Sequence, residues 1–154
     1  SLALIMADLD LLRNINNTYG HLAGDLVLEG IGNIIRSTIR EYDIAGRFGG
    51  EEFVILLPEA DLPEARALAE RLRLAVERTP FFVPTSRTPI YVTMSFGIAC
   101  FPLDAVTANA LIHEADIAVY AAKLNGRNCI MAASDVVHRS AMDLPAMADR
   151  FASP

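Results

Sequence analysis

Apolar and polar positions follow one another along the chain at spacings that predict both strands and helices. Residues 2–7 form a continuous apolar run of strand length, and residues 90–99 alternate between apolar and polar, which predicts a strand with one apolar face. Apolar residues recur at helical spacing from about Asp25, in residues 62–79 and in residues 108–125. The pattern therefore predicts a domain in which helices are interleaved with strands.

A hairpin interrupts this alternation near the middle of the chain. Residues 44–48 and 53–57 are largely apolar runs on either side of Gly49 and Gly50. Paired glycines supply the positive φ angles of tight turns, so the segment predicts two antiparallel strands joined at the glycines.

The remaining elements are short. Residues 10–19 predict a helix that ends at Gly20, and residues 129–132 predict a last strand. The resulting order is βααββαβαβ, and a hairpin within such an order indicates a mixed sheet. This order fits an α+β fold of the ferredoxin-like type, with helices packed on the sheet.

Size and charge limit the classes of protein that fit. The 154 residues carry a net charge of −6, which argues against nucleic-acid binding. We expect one domain over residues 1–132 and a tail or linker over residues 133–154. No apolar run approaches the roughly 20 residues of a membrane-spanning helix. Cys100 and Cys129 lie in apolar runs and are predicted to be buried free thiols, which is compatible with the cytoplasm.

Four acidic residues stand at the ends of predicted strands. Asp8 and Asp10 follow the first apolar run, and Glu51 and Glu52 follow the paired glycines. A hairpin beside the first strand would bring these carboxylates together, where they repel one another unless a cation is present. Mg²⁺ prefers such oxygen ligands together with substrate phosphates. Exposed turn acids are the alternative, which we favour for Glu51 or Glu52 taken alone.

Two other features allow a simple and a functional interpretation. Gly49 and Gly50 are a turn signal, but a tip without side chains also lets a ligand lie against the backbone. Lys123 and Arg127 stand at the end of the last long helix, where the helix dipole and a glycine cap explain them. On spacing alone that explanation is favoured over a phosphate site.

A dense polar patch separates the first two predicted helices. Its Asn and Asp side chains have the donors and acceptors that can read a guanine edge. Helix capping is the alternative, with Asp25 as the N-cap of the longer helix. The patch comprises Asn16, Asn17, Tyr19, Gly20, His21, Gly24 and Asp25.

Taken in order, these motifs resemble the GGDEF family of diguanylate cyclases from about residue 2 to about residue 131. One five-residue match would be weak, whereas the ordered series is highly specific. The series consists of Asp8-Leu9-Asp10, Asn16-Asn17-Thr18-Tyr19-Gly20-His21, Gly24-Asp25, Arg47-Phe48-Gly49-Gly50-Glu51-Glu52-Phe53, Thr93-Met94-Ser95-Phe96-Gly97-Ile98-Ala99, Ala115-Asp116, Tyr120, Ala122-Lys123 and Gly126-Arg127-Asn128.

The resemblance implies an adenylyl-cyclase-like palm and an enzyme that condenses two GTP into cyclic di-GMP and two pyrophosphates. It also implies Mg²⁺ or Mn²⁺, catalysis by a homodimer, and a cytoplasmic place in a longer multidomain signalling protein. The family's usual helix before the first strand is missing from this sequence. The main alternative is a non-catalytic regulatory domain that binds GTP or cyclic di-GMP, and a third is a purely structural dimerisation domain.

The resemblance also implies roles for individual residues. Asp8, the Leu9 carbonyl, Glu51 and Glu52 match the metal ligands, Glu51 and Glu52 are the expected catalytic acids, and Glu51 is the expected base for the 3′-hydroxyl. The matched substrate-binding positions are Asn16 and Asp25 for guanine, Arg13, Lys123 and Arg127 for phosphates, and Gly49 and Gly50 at the hairpin.

A second site follows from the same resemblance. Arg40 and Asp43 form an Arg-x-x-Asp pattern at the family's usual offset before Gly49, and Arg71 matches a supporting position. Arg can hold guanine or phosphate with two hydrogen bonds, so we expect product inhibition here. An ordinary surface pair is the alternative.

Overall fold

A computed structural model of the chain describes residues 1–136, and it confirms the predicted α+β fold. The strands form one five-stranded sheet in the order β2-β3-β1-β4-β5. Along the chain the elements are β1 (Leu2–Leu9), α1 (Leu12–Tyr19), α2 (His21–Thr38), β2 (Ile44–Arg47), β3 (Glu52–Pro58), α3 (Leu62–Arg78), β4 (Met94–Phe101), α4 (Ala108–Leu124), β5 (Ile130–Ala132) and α5 (Ala133–Val136).

The central strand β1 organises the sheet. It pairs antiparallel with β3 on one side and with β4 on the other. β2 pairs antiparallel with β3, whereas β5 runs parallel to β4, so the predicted mixed sheet is confirmed. From Ala3 to Leu9 every residue of β1 is buried, as expected for a strand covered on both faces.

Helices cover both faces of the sheet. On one face, a large apolar cluster that includes Ile5, Ile55 and Ile98 packs against α2 and α3. On the other face, Leu4 and Met6 belong to a smaller cluster with residues of α4. The predicted apolar face of β4 is confirmed, because Met94, Phe96 and Ile98 all belong to the larger cluster. The opposite face is buried as well, since α4 packs against it at Gly97.

The first residues of α3 and α4 form hydrogen-bonded caps. The Glu64 N–H donates to Asp61 Oδ1 at 3.0 Å, and the Asp61 N–H donates back to Glu64 Oε2 at 3.0 Å, which is a capping box. Thr107 caps α4 by accepting from the Ala110 N–H. At the other end of α4, Gly126 has a φ of 102° and turns the chain away from the helix.

Strand β4 begins at Met94 rather than at residue 90. The last residue pair between β1 and β4 joins Leu9 to Met94, because β1 ends there and the chain turns into α1. Ile90, which the alternation assigned to the strand, instead makes an isolated bridge with Phe81. The apolar pattern extends beyond the strand because Ile90 and Val92 are buried by neighbouring elements.

Helix α2 begins four residues earlier than predicted, at His21. Gly20 has a φ of 92°, ends α1 and begins α2, so one residue makes the corner between the two helices. Asp25 lies inside α2 and is exposed, so the alternative interpretation of Asp25 as an N-cap does not hold.

The two cysteines differ in burial. Cys100 is buried as predicted, and burial raises the pKa of its thiol. Cys129, the residue before β5, is only half-buried, so its predicted burial is wrong.

Nothing in residues 1–136 forms a helix long and apolar enough to span a bilayer. Of the predicted tail, residues 133–136 form α5, and residues 137–154 lie outside the described part.

A substitution at Gly97 tests how closely α4 packs on the sheet. A Cβ at Gly97 would lie 2.1 Å from the Ala115 carbonyl oxygen and 2.4 Å from the Val119 nitrogen, both of them backbone atoms. We therefore expect Gly97→Ala to lower the free energy of unfolding by about 2 kcal/mol or more, as overpacking does. Urea denaturation would measure the change. As a control, Gly46→Ala should change the free energy by about 0.5 kcal/mol or less, because an added Cβ there meets no described atom within 4 Å. Equal losses in both variants would contradict this packing.

Candidate active site

The end of β1, the β2–β3 loop and α4 enclose one open cavity of about 700 Å³. Asp8 and Glu52 are paired residues on adjacent strands, and the Leu9 N–H donates to the Glu51 carbonyl at 3.1 Å. These contacts bring three of the four predicted carboxylates to the cavity. Its lining residues are Asp8, Leu12, Asp25, Leu28, Arg47, Phe48, Gly50, Glu51, Glu52, Asn109, Ile112, His113 and Asp116.

Lys123 reaches this cluster from the last turn of α4. Its Nζ lies 2.7 Å from Asp8 Oδ1 and 2.7 Å from Asp10 Oδ1, and it donates to the Leu9 carbonyl at 3.2 Å. Asp8 and Asp10 are only 2% and 4% exposed, so their charges require a partner. The helix-end position predicted for Lys123 is confirmed, but its side chain points into the site rather than into solvent.

Asp10 has a different environment from the other acids. Its Oδ1 accepts from Ser95 Oγ at 2.7 Å, and its Oδ2 accepts from Thr93 Oγ1 at 2.7 Å and from the Asn128 N–H at 3.0 Å. Burial alone would raise the pKa of Asp10, but the hydrogen bonds from Lys123, Thr93 and Ser95 hold it below its ordinary value. Asp10 is therefore an ionised carboxylate enclosed by donors.

The hairpin tip differs from the predicted tight turn. Four residues, 48–51, separate β2 from β3, and neither Gly49 nor Gly50 has a φ in the left-handed region. The prediction of positive φ angles is therefore wrong, because a longer loop turns the chain without them. The N–H groups of Phe48 and Gly49 both donate to the Glu52 carbonyl, at 2.8 and 3.3 Å.

Arg47 holds this tip from the end of β2. Its Nε donates to the carbonyls of Gly49 and Gly50 at 3.2 and 3.1 Å, and its Nη2 also donates to the Gly50 carbonyl. Arg47 belongs to the motif at the hairpin, but the sequence pattern assigned it no role. The signal was its place two residues before Gly49, where a guanidinium can reach the loop carbonyls.

The two glycines occupy different positions. Gly50 lines the main cavity, and an added Cβ there would meet no described atom within 4 Å. Gly49 lies against Glu52, because a Cβ at Gly49 would be 2.7 Å from Glu52 Oε2. The bare backbone of Gly50 is therefore the part of the tip that faces the cavity.

Helices α1 and α2 bring the predicted guanine readers to the same side of the domain. Asn16 shares a cavity of about 460 Å³ with Arg13 and Glu51, and Asp25 lines the main cavity. Within residues 1–136, Asn16 Oδ1 is buried and has no hydrogen-bond partner. A Cβ at Gly24 would lie 2.0 Å from that oxygen, so Gly24 makes room for the Asn16 side chain. This contact explains why position 24 of α2 is a glycine.

The cation Arg127 lies on the turn after α4 and is exposed. Its backbone has a φ of 64°, and its N–H donates to the Ala122 carbonyl at 3.1 Å. The turn therefore carries the second predicted phosphate cation four residues after the first along the chain.

The three residues of the predicted inhibitory site lie outside the main cavity. Asp43 is 8% exposed, and its Oδ2 accepts from the Arg40 N–H at 2.8 Å. Its Oδ1 has no hydrogen-bond partner among the described residues. The Arg40 guanidinium is exposed and donates to the Tyr42 hydroxyl at 3.0 Å. Arg71 is exposed on α3. Asp43 thus has a structural role in its turn in addition to any contact with a ligand.

A hard divalent cation fits this donor set only with help from a substrate. Among residues 1–136 no three His, Cys, Asp or Glu side chains are gathered closely enough to hold a metal ion. Asp8, Glu51 and Glu52 line one cavity, and the carbonyl of Leu9, the residue after Asp8, accepts from Lys123. Mg²⁺ commonly uses one or two carboxylates and completes its coordination with water and phosphate oxygens. The residues present fit such an ion.

The chain matches a family model described as "Diguanylate cyclase, GGDEF domain" over residues 1–129, and it belongs to this family. Diguanylate cyclase A of Treponema denticola is 42% identical over 128 residues, which cover 83% of this chain and 34% of that protein. Diguanylate cyclase DgcP of Pseudomonas aeruginosa is 42% identical over 127 residues, which cover 82% of this chain and 18% of that protein. The chain therefore spans about a third or less of these curated relatives.

Solved structures of GGDEF domains share the fold. The GGDEF domain of YfiN, also called TpbB, from Pseudomonas aeruginosa superposes with a TM-score of 0.82 at 36% identity, covering 88% of this chain and 78% of that one. The GGDEF domain of DgcB from Caulobacter crescentus, solved in complex with c-di-GMP, superposes with a TM-score of 0.78 at 27% identity, covering 86% of this chain and 78% of that one. The fold expected from the resemblance is thereby confirmed.

Arg47→Lys tests the clamp on the hairpin tip. Lysine keeps the charge but lacks the planar fork that binds two carbonyls at once, so the tip should open more often. We expect hydrogen–deuterium exchange at the Phe48 and Gly49 amides to become about tenfold faster, which corresponds to ~1.4 kcal/mol. The control is Arg36→Lys, since Arg36 is exposed and bonds only to Asn33 on its own helix in the described part. Unchanged exchange in the Arg47 variant would exclude the clamp.

Proposed function

We propose that this GGDEF domain is a Mg²⁺-dependent or Mn²⁺-dependent diguanylate cyclase that condenses two GTP into cyclic di-GMP and releases two pyrophosphates. The observation that carries the proposal is the cavity where Asp8, Glu51 and Glu52 meet, with Lys123 beside them. Family membership and relatives that are named diguanylate cyclases support it. The acids Asp8, Glu51 and Glu52 and the cations Lys123 and Arg127, which match the family's site, are present in this chain.

One GTP would lie with its guanine at α1 and α2. Asn16 Oδ1 is an acceptor that the described residues leave without a donor, and a guanine amino or ring N–H could supply one. The exposed carboxylate of Asp25 faces the main cavity and can accept from the guanine edge. The triphosphate would then extend toward Lys123 and Arg127. Arg13 lines the cavity of about 460 Å³ that it shares with Asn16 and Glu51.

The bare backbone at Gly50 would let the nucleotide approach the hairpin closely, with Gly49 completing the tip. Asp8, Glu51, Glu52 and the Leu9 carbonyl would hold the divalent cation together with phosphate oxygens. When bound, the cation offsets the negative charge that develops as pyrophosphate leaves. The protein contributes mainly by orienting the reacting groups.

In the reaction, the 3′-oxygen of one GTP forms a bond to the α-phosphorus of the other. The bond between the α-phosphorus and the bridging oxygen to the β-phosphate breaks, and pyrophosphate leaves. Glu51 would accept the proton of the attacking 3′-hydroxyl, with Glu52 beside it on β3. A second, equivalent step closes the ring.

Because the two new phosphodiester bonds are equivalent, a two-fold pair of domains with facing sites suits the product. Each domain would hold one GTP and present it to the other. The active species is therefore a homodimer in this proposal.

The proposal extends to regulation and context. Arg40, Asp43 and Arg71 would bind cyclic di-GMP as an inhibitor, since Arg40 and Arg71 are exposed and Asp43 keeps an acceptor oxygen without a described donor. The relatives are several times longer than the matched region, so we propose that the domain works within a multidomain cytoplasmic signalling protein that does not bind nucleic acid.

Acid-to-amide substitutions test the catalytic assignment. Asp8→Asn or Glu51→Gln should lower the rate of cyclic di-GMP formation by about 100-fold or more, as loss of a metal ligand or general base does. Chromatography of products formed from GTP and Mg²⁺ would measure the rate. Glu59→Gln is the control, because Glu59 is exposed just after β3, at the opposite end of that strand from Glu52, and its rate should not change. Equal rates in all variants would refute the assignment, and GTP binding without any product would favour the regulatory alternative.

Arg40→Ala tests the inhibitory site. Removal of the exposed guanidinium should raise the inhibition constant for cyclic di-GMP by about tenfold, the loss of one charge-assisted contact. Arg87→Ala removes an exposed guanidinium in the loop between α3 and β4 and should leave the constant unchanged. An inhibition constant that is the same in the Arg40 variant and the wild type would show that product inhibition does not use this site.

A further inference from the structure

One buried carboxylate connects the central strand to both predicted phosphate-binding cations. Asp10 Oδ1 accepts from Lys123 Nζ at 2.7 Å, and Asp10 Oδ2 accepts from the Asn128 N–H at 3.0 Å. Asn128 is the neighbour of Arg127, so the same carboxylate fixes one cation directly and the other through the backbone. The family resemblance assigned no role to Asp10.

The turn that carries Arg127 needs such support. Gly126, Arg127 and Asn128 have φ angles of 102°, 64° and 46°, so three consecutive residues lie in the left-handed region. Residues with a Cβ adopt this region only where the surrounding structure imposes it. The hydrogen bonds from the Arg127 N–H to Ala122 and from the Asn128 N–H to Asp10 impose it here.

The Asn128 side chain fixes the turn from the opposite side. Its Oδ1 accepts from Arg73 Nη1 at 3.0 Å, and its Nδ2 donates to Glu77 Oε1 at 3.0 Å. Arg73 is itself held by Glu70 at 2.8 Å and by Glu77 at 3.1 Å. The turn is therefore anchored to both β1 and α3.

We propose that Asp10 and Asn128 are positioning residues that keep Lys123 and Arg127 set to receive the triphosphate of GTP. The proposal rests on the proposed function, because the phosphate contacts of the two cations belong to it. Neither Asp10 nor Asn128 needs to touch the nucleotide. Each restricts the motion of the two cations before GTP binds. GTP binding therefore costs less conformational entropy.

The charge of Asp10 has a second effect on Lys123. The ammonium lies between two buried carboxylates at equal distances of 2.7 Å. Among residues 1–136, Asp8 is the one other carboxylate within ion-pair distance of Lys123. Without the charge on Asp10, the ammonium would pair with Asp8 alone and turn away from an incoming phosphate.

The experiment compares two probes on the full chain in the presence of Mg²⁺. The first probe is 3′-deoxy-GTP, which lacks the attacking oxygen and cannot react, and the second is 3′-deoxyguanosine, which lacks phosphates. Calorimetry and NMR titration would give their dissociation constants. We expect Asp10→Asn and Asn128→Gly each to weaken triphosphate binding by about tenfold, the worth of one charge-assisted hydrogen bond, and to leave nucleoside binding unchanged.

The variants are chosen so that folding does not decide the result. Glycine adopts the left-handed φ of residue 128 without strain, so Asn128→Gly removes the side-chain anchors and leaves the backbone free to keep its conformation. Arg66→Gln is the matched control, because it breaks a 2.6 Å ion pair between Asp135 and the same helix α3, away from the cations. It should leave the affinity ratio of the two probes unchanged. If Asp10→Asn does not fold, Asn128→Gly carries the test alone.

The outcomes separate the two proposals. A loss confined to the triphosphate probe supports positioning by Asp10 and Asn128. Wild-type affinity for 3′-deoxy-GTP in both variants, or an equal loss for both probes, overturns this inference and leaves the proposed function standing. Failure of the wild-type chain to bind 3′-deoxy-GTP would overturn both.

Discussion

Two buried carboxylates at the end of the central strand share one ammonium, and most of the site follows from that arrangement. β1 is covered on both faces, so Asp8 and Asp10 cannot reach bulk water as exposed acids do. An uncompensated charge in such a place is strongly destabilising. Lys123 supplies the compensation from α4, and it reaches Asp8 and Asp10 only because α4 packs directly on the sheet at Gly97.

The same constraint gives the two acids different roles. Asp10 is enclosed by Thr93, Ser95, Lys123 and Asn128, which leaves it suited to hold structure rather than to bind a ligand. Asp8 instead lines the cavity with the hairpin acids. The hairpin is fixed by Arg47, whose guanidinium spans the loop carbonyls. Fixed acids at one cavity, with a fixed cation beside them, suit a reaction in which orientation does most of the work.

The sequence predicted features that depend on local pattern. The element order, the mixed sheet and the hairpin follow from the spacing of apolar residues and from glycines at the turns. The structure has all three features. The meeting of Asp8 with the hairpin acids was also predicted, because a hairpin beside the first strand leaves few other arrangements. Ordered motifs identified the family more securely than any single residue did.

Features that depend on distant contacts could not be predicted in this way. Asp10 was grouped with the other acids because its partners, from Thr93 to Asn128, lie more than 80 residues away along the chain. The start of α2 was misplaced because Asp25 is a good capping residue by type, whereas Gly20 makes the corner. Gly24 is required by Asn16, a contact between two helices that no periodicity reveals.

We propose that two copies of this site, each holding one GTP, build one product together. The initial rate of cyclic di-GMP formation per chain, measured as a function of chain concentration with the oligomeric state followed by ultracentrifugation, tests this proposal. Catalysis by a dimer requires a rate per chain that rises in proportion to the dimer fraction and vanishes on dilution to monomer. A rate per chain that stays constant where the protein is monomeric would contradict it.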